Sequence, residues 1–581
     1  MKKIYLAAAL IATSFLNAQT AFTWDVTSYK GAFPITDGTP ATNWTTNWTE
    51  WNPETKVYPA PTTTVTGNIT ANATWSGVVY LNGFVHVVAP AELTILPGTI
   101  IRGKQTDVSV TPGVLVIATG AKIHAVGTPT NPIVFTSIKS ETAGRASGDW
   151  GGVVICGKGL VNVHTLTTTI GAFKEMKVEG FVTDEPNGYR HFGGTNPADN
   201  SGEMAYCRIE FAGVSLNPAI LNNEINGLTL GAVGSGTRLD HIQVSFSGDD
   251  SFEWFGGSVD AKYLIAYRGK DDDFDTDNGF NGRVQFGLAV RDPYIADDSD
   301  PSYASNGFEC DNNGVGSFSG LPLTKAVFSN MTMVGPYGDG TAYGFGTSAV
   351  NARHAAAAHL RRNMAQSVFN SLFVGWRQGL RYQQAATLDN ITAPIASDSS
   401  CFFQNNVITD VAGIQTTFMN DGTTFTQAWY NAYAAANNID TLKTVPQVNF
   451  VNAFTALGTV PDYRLNALSQ VATGALFTNP KLVGGFTGVE QLNVLTNSFT
   501  IFPNPATQNT NIAFNLIENN KVSVTVIDML GNVVSVIAHE NEFNKGNTTL
   551  SLNTANLANG IYYISLEVNG VKETKKLIIT K

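Results

Sequence analysis

The sequence predicts an all-β chain: a right-handed parallel β-helix followed by a small C-terminal β-sandwich. Three observations carry this expectation. Glycine is abundant (56 of 581 residues) and Thr, Asn and Val are frequent, while charged residues are only 14% of the chain, against about 25% in ordinary soluble domains. Strand-like cores recur every 21 to 22 residues, the spacing of a solenoid whose rungs stack in parallel. Residues 497–581 instead show short, regularly spaced strands separated by turn residues. The hydrophobic share of 43% supplies a large core. A coiled coil, a disordered acidic chain and a nucleic-acid-binding module are all disfavoured.

At the N-terminus, Met1-Lys2-Lys3, the apolar run Ile4 to Leu16 and Asn17-Ala18-Gln19 form the n-region, h-region and small-residue end of a signal peptide over residues 1–18. Leu16 departs from the usual small residue three before the cut. No later segment has about 18 uninterrupted apolar residues, so the mature chain is expected to carry no transmembrane segment. Residues 19–74 contain Asn43-Trp-Thr-Thr-Asn-Trp-Thr-Glu-Trp-Asn52 and are expected to cap the exposed end of the solenoid.

Residues 75–415 are expected to form the β-helix. His241 to Asp250, Lys262 to Asp271 and Arg283 to Asp292 align at a period of 21, which superposes Val244, Ile265 and Phe286. Upstream, Leu93 to Gly98 and Leu115 to Gly120 are 22 apart. A leucine-rich repeat would need a regular Leu/Asn pattern that is missing, and a propeller would need longer blades. Residues 416–496 read as cap and linker, with a short helix over Gln427 to Leu442. The four cysteines, Cys156, Cys207, Cys310 and Cys401, are too widely spaced for a zinc motif and too few for a disulfide scaffold. Buried thiols and one or two bridges both remain open.

From Asn497 onward, seven short strands and the alternation of Val522, Val524 and Val526 predict a β-sandwich. This module carries Phe502-Pro503-Asn504-Pro505, Asp528-Met529-Leu530-Gly531, Leu557-Ala-Asn-Gly-Ile-Tyr-Tyr563 and the terminal Lys575-Lys-Leu-Ile-Ile-Thr-Lys581. In that order they closely resemble the type A C-terminal sorting domain of the Bacteroidetes type IX secretion system. The resemblance implies outer-membrane translocation by that machinery, commonly with removal of the module and attachment to the surface or release. The remainder, with Gly148-Asp-Trp-Gly-Gly152 and Ala358-His-Leu-Arg-Arg-Asn363, resembles secreted Bacteroidetes β-helix proteins that have no secure enzymatic assignment.

The net charge of −11 is concentrated. Residues 249–311 hold 15 Asp/Glu and 5 Lys/Arg, so that stretch alone carries −10. Nucleic acid would require the opposite sign. The 21-residue alignment stacks Asp250, Asp271 and Asp292 about 4.8 Å apart along the axis, where two like charges repel by roughly 3 to 4 kcal/mol at an effective dielectric near 20. A cation is expected to neutralise them. Ca²⁺ fits better than Zn²⁺, because carboxylates dominate and His241, just before the stretch, is the only histidine near its repeats. The expected ligands are Asp249, Asp250, Asp271, Asp272, Asp273, Asp275, Asp277 and Asp292, with Asp-rich solvated turns as the competing explanation.

Function is less legible. Gly248-Asp249-Asp250 is similar to the Asp pair of polygalacturonases, but Asp275-Thr276-Asp277 follows the pair instead of preceding it and no Gly-His-Gly follows. A calcium-assisted lyase would need an Arg or Lys base, for which Arg268, Lys270, Arg283 and Arg291 lie nearby, although Arg beside Asp is more often an ion pair. Arg353-His354 and His359 to Arg362 are expected to be packed rung residues. The expectation is an exported cell-surface or secreted β-helix protein that acts in calcium-dependent ligand or glycan binding or in adhesion, with a structural adhesin lacking any small ligand as a further possibility. The alternative is a β-helix polysaccharide lyase or glycoside hydrolase acting on acidic polysaccharide.

Overall fold

The computed structural model describes residues 22–36, 38–39, 43–106, 111–163, 175–181, 187–216, 224–298, 305–314, 318–338, 350–392, 400–409, 416–420, 427–453, 460–483, 499–516, 519–528, 533–568 and 571–581. The signal peptide (1–18) lies outside the described residues, as do Met529 to Gly531 of the sorting motifs. The chain divides into two compact units, Met1–Gly488 and Val489–Lys581.

In the first unit, 25 described strands join by parallel pairing into one continuous ladder, whose strands run from Thr63 to Asn420 and so start earlier than residue 75. Each central rung contributes to three sheets. Asp260–Tyr267 supplies the first two, and Phe274–Asp277 supplies the third after a turn over residues 268–273. The apolar sides of all three sheets meet in one core that contains Trp150, Phe252, Trp254, Phe274, Phe308 and Trp376. Phe252, Phe274 and Phe308 occupy one position on successive rungs, with ring centroids 5.5 and 5.7 Å apart.

The first and second sheets join without a loop. One residue per rung turns the chain by adopting the left-handed conformation: Tyr206, His241, Tyr263, Phe286, Asn330, Asn370 and Asn405, with φ between 50° and 63°. Asn accepts this region readily, whereas a bulky side chain is disfavoured there. The aromatic half of the column is compensated by stacking: Tyr206 on His241 and His241 on Tyr263 at 4.4 Å, and Tyr263 on Phe286 at 5.1 Å.

The Trp-rich N-terminal segment does not cap an end. It runs along this corner as a strap, because the aromatic column offers it a long apolar surface in mid-solenoid. Trp44 packs on Tyr263, Trp48 on His241 and Tyr206, and Trp51 on Tyr267. Two glutamine side chains read its backbone like an adjoining strand. Gln243 accepts from Glu50 N–H (2.9 Å) and donates to Glu50 C=O (2.8 Å); Gln285 does the same with Asp25 (2.9 and 2.8 Å).

The true register also departs from the 21-residue alignment. Arg238–Ser245 pairs with Asp260–Tyr267 at an offset of 22, and the next step is 23. Leu93 and Leu115 fall in different sheets: Leu93 pairs with Ile123, and Leu115 with Val85 and Val153. Their spacing of 22 runs from one sheet to another past the intervening strand Ile100–Gly103 and is not the step between equivalent positions of successive rungs. The helix near the end is Gln427–Ala436, with Tyr430 buried. All four cysteines are buried free thiols; burial raises Cys156 to about 12.

Trp150 is expected to be a stability anchor. Its indole is fully buried, donates to the Glu210 carbonyl at 2.8 Å and lies where a side chain on Gly103 would meet its ring at 2.5 Å. Trp150→Ala is expected to cost about 3–5 kcal/mol, measurable as a lower denaturation midpoint.

The second unit is a seven-stranded sandwich. Thr500–Phe502, Asn509–Leu516 and Gly546–Asn553 form one antiparallel sheet; Asn520–Ile527, Val533–Phe543, Gly560–Val568 and Val571–Ile579 form the other. It has its own core, in which Val522, Val524 and Val526 are all fully buried.

Candidate metal centre at the acidic corner

The acidic residues gather where the second sheet turns into the third and continue along the outer side of the third sheet. Within the turn, Asp250 is opposite Asp272, and Asp272 is followed by Asn306. The backbone N–H of Asp272 donates to Asp250 Oδ1 at 2.7 Å, that of Asn306 to Asp272 Oδ1, and that of Ala356 to Asn306 Oδ1 at 3.1 Å. This ladder of side chains capping the next rung begins with a 22-residue step and continues across steps of 34 and 50 residues. The stack of Asp250, Asp271 and Asp292 is therefore corrected: Asp271 is set beside Asp249 on the outer side, and Asp292 is elsewhere, 3.3 Å from Arg268.

On the third sheet, one outward row reads Thr229, Glu253, Asp275, Glu309, His359, Arg381 on consecutive rungs. Its basic end neutralises only part of its acidic end. Glu309 takes His359 Nδ1 at 3.0 Å and Arg361 Nη2, while Asp311 takes Arg361 Nε at 2.8 Å and Arg362 Nη1 at 2.6 Å. Burial acts to raise the Glu309 carboxyl, but Arg361 and His359 hold it down to about 2.

Five carboxylates at the other end have no ion pair among the described residues: Asp249, Asp250, Glu253, Asp271 and Asp275. Asp249, Asp250 and Asp271 present ligand atoms within 4.8 Å of one another, and so do Asp250, Glu253 and Asp275. Burial and then mutual repulsion push Asp249, Asp250, Glu253 and Asp275 well above the ordinary carboxylate range; Asp271 rises to about 8, from burial and then from Asp297 and Glu309. Asn226, fully buried, donates from Nδ2 to Glu253 Oε2 and to Glu179 Oε1 at 3.4 Å, while its Oδ1 has no hydrogen-bond partner. One Asp275 oxygen is likewise buried and unpartnered.

Of the eight residues expected to bind a cation, four are thus brought together: Asp249, Asp250, Asp271 and Asp275. Asp272 caps the next rung. Asp273 is fully buried in an ion pair with Arg291 (3.0 Å), Asp277 accepts the Asn278 N–H at 2.5 Å, and Asp292 is diverted to Arg268. Sequence reasoning left Glu253 outside the set and missed Asn226. The signal for Glu253 was its 22-residue spacing from Asp275.

The arrangement suits a hard divalent cation. Ca²⁺ holds oxygens at 2.3–2.6 Å, so ligands on opposite sides of one ion are about 4.6–5.2 Å apart, and the 4.8 Å that bounds each group lies within that reach. Neither group contains His or Cys. The candidate bases are all engaged: Arg268 with Asp292, Lys270 with Asp298 at 3.1 Å, Arg283 with Asp260 at 2.6 Å and Arg291 with Asp273.

No curated protein matches the chain in sequence. Among solved structures, it is similar at 9% identity to full-length tailspike protein 2 from the Escherichia coli O157:H7 bacteriophage CAB120, over 86% of this chain and 64% of that one, with a TM-score of 0.19. No helix among the described residues is long and apolar enough to cross a membrane. Residues 500–580 match the secretion system C-terminal sorting domain, which marks the protein for export by the type IX route to the cell surface or beyond. Residues 67–447 match the pectate-lyase-like β-helix domain, and the chain belongs to that family.

Proposed function

We propose that this exported β-helix protein binds an anionic ligand, such as an acidic polysaccharide, through Ca²⁺ held at the acidic corner, and does not cleave it. The observation that carries the reading is the set of five clustered carboxylates to which no cationic side chain among the described residues is paired. Two like charges at such spacing repel by several kcal/mol in a partly desolvated site, so a bound divalent ion supplies what the fold omits. An ion with few protein ligands keeps positions for water or for a ligand's carboxylate or sulfate oxygens.

The absence of cleavage is inferred from Arg268, Arg283 and Arg291: a guanidinium locked in an ion pair makes a poor proton acceptor. The family match favours a second reading, a calcium-assisted lyase. One experiment separates the two. Removal of metal with EDTA is expected to lower the melting temperature by a few degrees, since a ligand at about 100 times its dissociation constant adds roughly 2.7 kcal/mol to the native state. No unsaturated product or reducing end is expected from pectins, alginates or sulfated glycans. If cleavage occurs and Asp271→Asn lowers it by about 10²-fold, the lyase reading replaces this one. An unchanged melting curve together with no calcium by elemental analysis would leave a solvated acidic face.

A further inference from the structure

We propose that the acidic corner holds two cations that share the carboxylate of Asp250. The proposal rests on the calcium reading above and adds to it a number, a bridging residue and an order of affinity.

The two groups of converging oxygens have one residue in common. Asp249 and Asp271 converge with Asp250 on the outer side of the turn, and Glu253 and Asp275 converge with it on the outward face of the third sheet. These five carboxylates carry five negative charges. One Ca²⁺ would leave −3 in a site already screened poorly from water; two leave −1. The arginines nearest the corner do not make up the difference, because Arg291 is committed to Asp273, and Arg361 to Glu309 and Asp311. A carboxylate offers two oxygens with about four lone-pair sites, and one Asp250 oxygen already caps the N–H of Asp272. The second is free to bridge.

The two positions are not equivalent. Asp250 and Glu253 are 7% and 5% exposed, and the amide of Asn226, whose buried Oδ1 lacks a partner, is held against Glu253. That carbonyl oxygen is the kind of neutral ligand Ca²⁺ takes beside carboxylates. On this proposal the inner ion takes the three converging carboxylates of Asp250, Glu253 and Asp275 and the amide oxygen of neighbouring Asn226 as a neutral ligand. The outer ion has three, of which Asp249 and Asp271 are partly exposed, so more of its coordination falls to water. The inner ion should bind more tightly, and it ties together three successive rungs, those of Asn226, Glu253 and Asp275.

The test is calcium titration of the full mature chain by calorimetry, with the bound metal counted by elemental analysis and folding followed by far-UV circular dichroism. The expected result is two calcium ions per chain in two steps. Asp271→Asn and Asp249→Asn each remove the weaker step and keep the tighter one. Glu253→Gln and Asp275→Asn each weaken the tighter step by tenfold or more. Asp250→Asn weakens both. A wild-type stoichiometry of one, or loss of all binding in both Asp271→Asn and Glu253→Gln while the protein stays folded, overturns the shared site and leaves a single calcium. A stoichiometry of zero overturns the calcium reading itself.

Discussion

A chain that stops before Asn497 is expected to fold and to accumulate in the periplasm, with its cell-surface fraction near zero. The physical ground is the separation of the two cores. Phe499, Ile512, Val524, Ile564 and Leu577 pack with one another inside the sandwich, while the solenoid buries its aromatics in a cluster of its own. Each unit therefore keeps its own core when the chain is cut between them, and the truncated protein should melt where the β-helix of the intact protein melts. What it loses is the sorting domain over residues 500–580. Fractionation of cells expressing both forms, with a thermal scan of the truncated form, checks each half of the expectation. Surface exposure of the truncated protein would contradict it.

Metal-free protein is expected to lose stability as pH rises from about 4 to about 8. Groups with raised pKa values in the folded state set the sign. Asp271 titrates near 3.8 when unperturbed and at about 8 in the fold; Glu179 is raised to about 7 by burial. Between those values the folded chain holds protons that the unfolded chain has released, so stability is fully present below about pH 4 and falls as pH climbs through the folded values. Each pK unit is worth about 1.4 kcal/mol. Glu309 acts in the opposite sense. Held at about 2 by Arg361 and His359, it contributes stability above about pH 4.5 that is lost as pH falls toward 2. Saturating Ca²⁺ displaces the protons and should flatten the limb between pH 4 and 8. Calorimetric melting at pH 4, 6 and 8, with and without calcium, reads the effect directly. A metal-free melting temperature that rises across this range would refute it.

Much of the fold was legible because stacking forces repetition onto the sequence. A rung that buries Phe252 must bury Phe274 and Phe308 beneath it, and the strands of the sandwich announce themselves through Val522, Val524 and Val526. Register was less legible, for a physical reason. Rung length is set by turns as much as by strands, so steps of 22 and 23 hide behind any fixed period, and a slip of one residue exchanged Asp271 for Asp272 in the stack. Asp292 was misplaced because the alignment could not see that Arg268 would capture it. Asn226 carried no local signal: its position follows from a rung step of 24 between Leu228 and Phe252, which only the paired strands reveal. The strap was misread for a similar reason, since three tryptophans describe an apolar surface but not the column of rings that receives it.

That strap has a consequence for the order in which the molecule is completed. Ala32 donates to Thr332 across 300 residues of chain, and Asp25 pairs with Gln285 across 260. The segment that leaves the ribosome early therefore meets its partners only after more than half of the solenoid has been made. Loops of this size are slow to close compared with the local pairing of neighbouring rungs. Until they close, Phe33, Trp48 and Trp51 have no core to enter, and the ring column from Tyr206 to Phe286 is bare. The strap is thus a latch fastened last: it tethers the start of the chain to rungs built much later, and a solenoid interrupted before Thr332 would leave its own beginning exposed to chaperones and proteases.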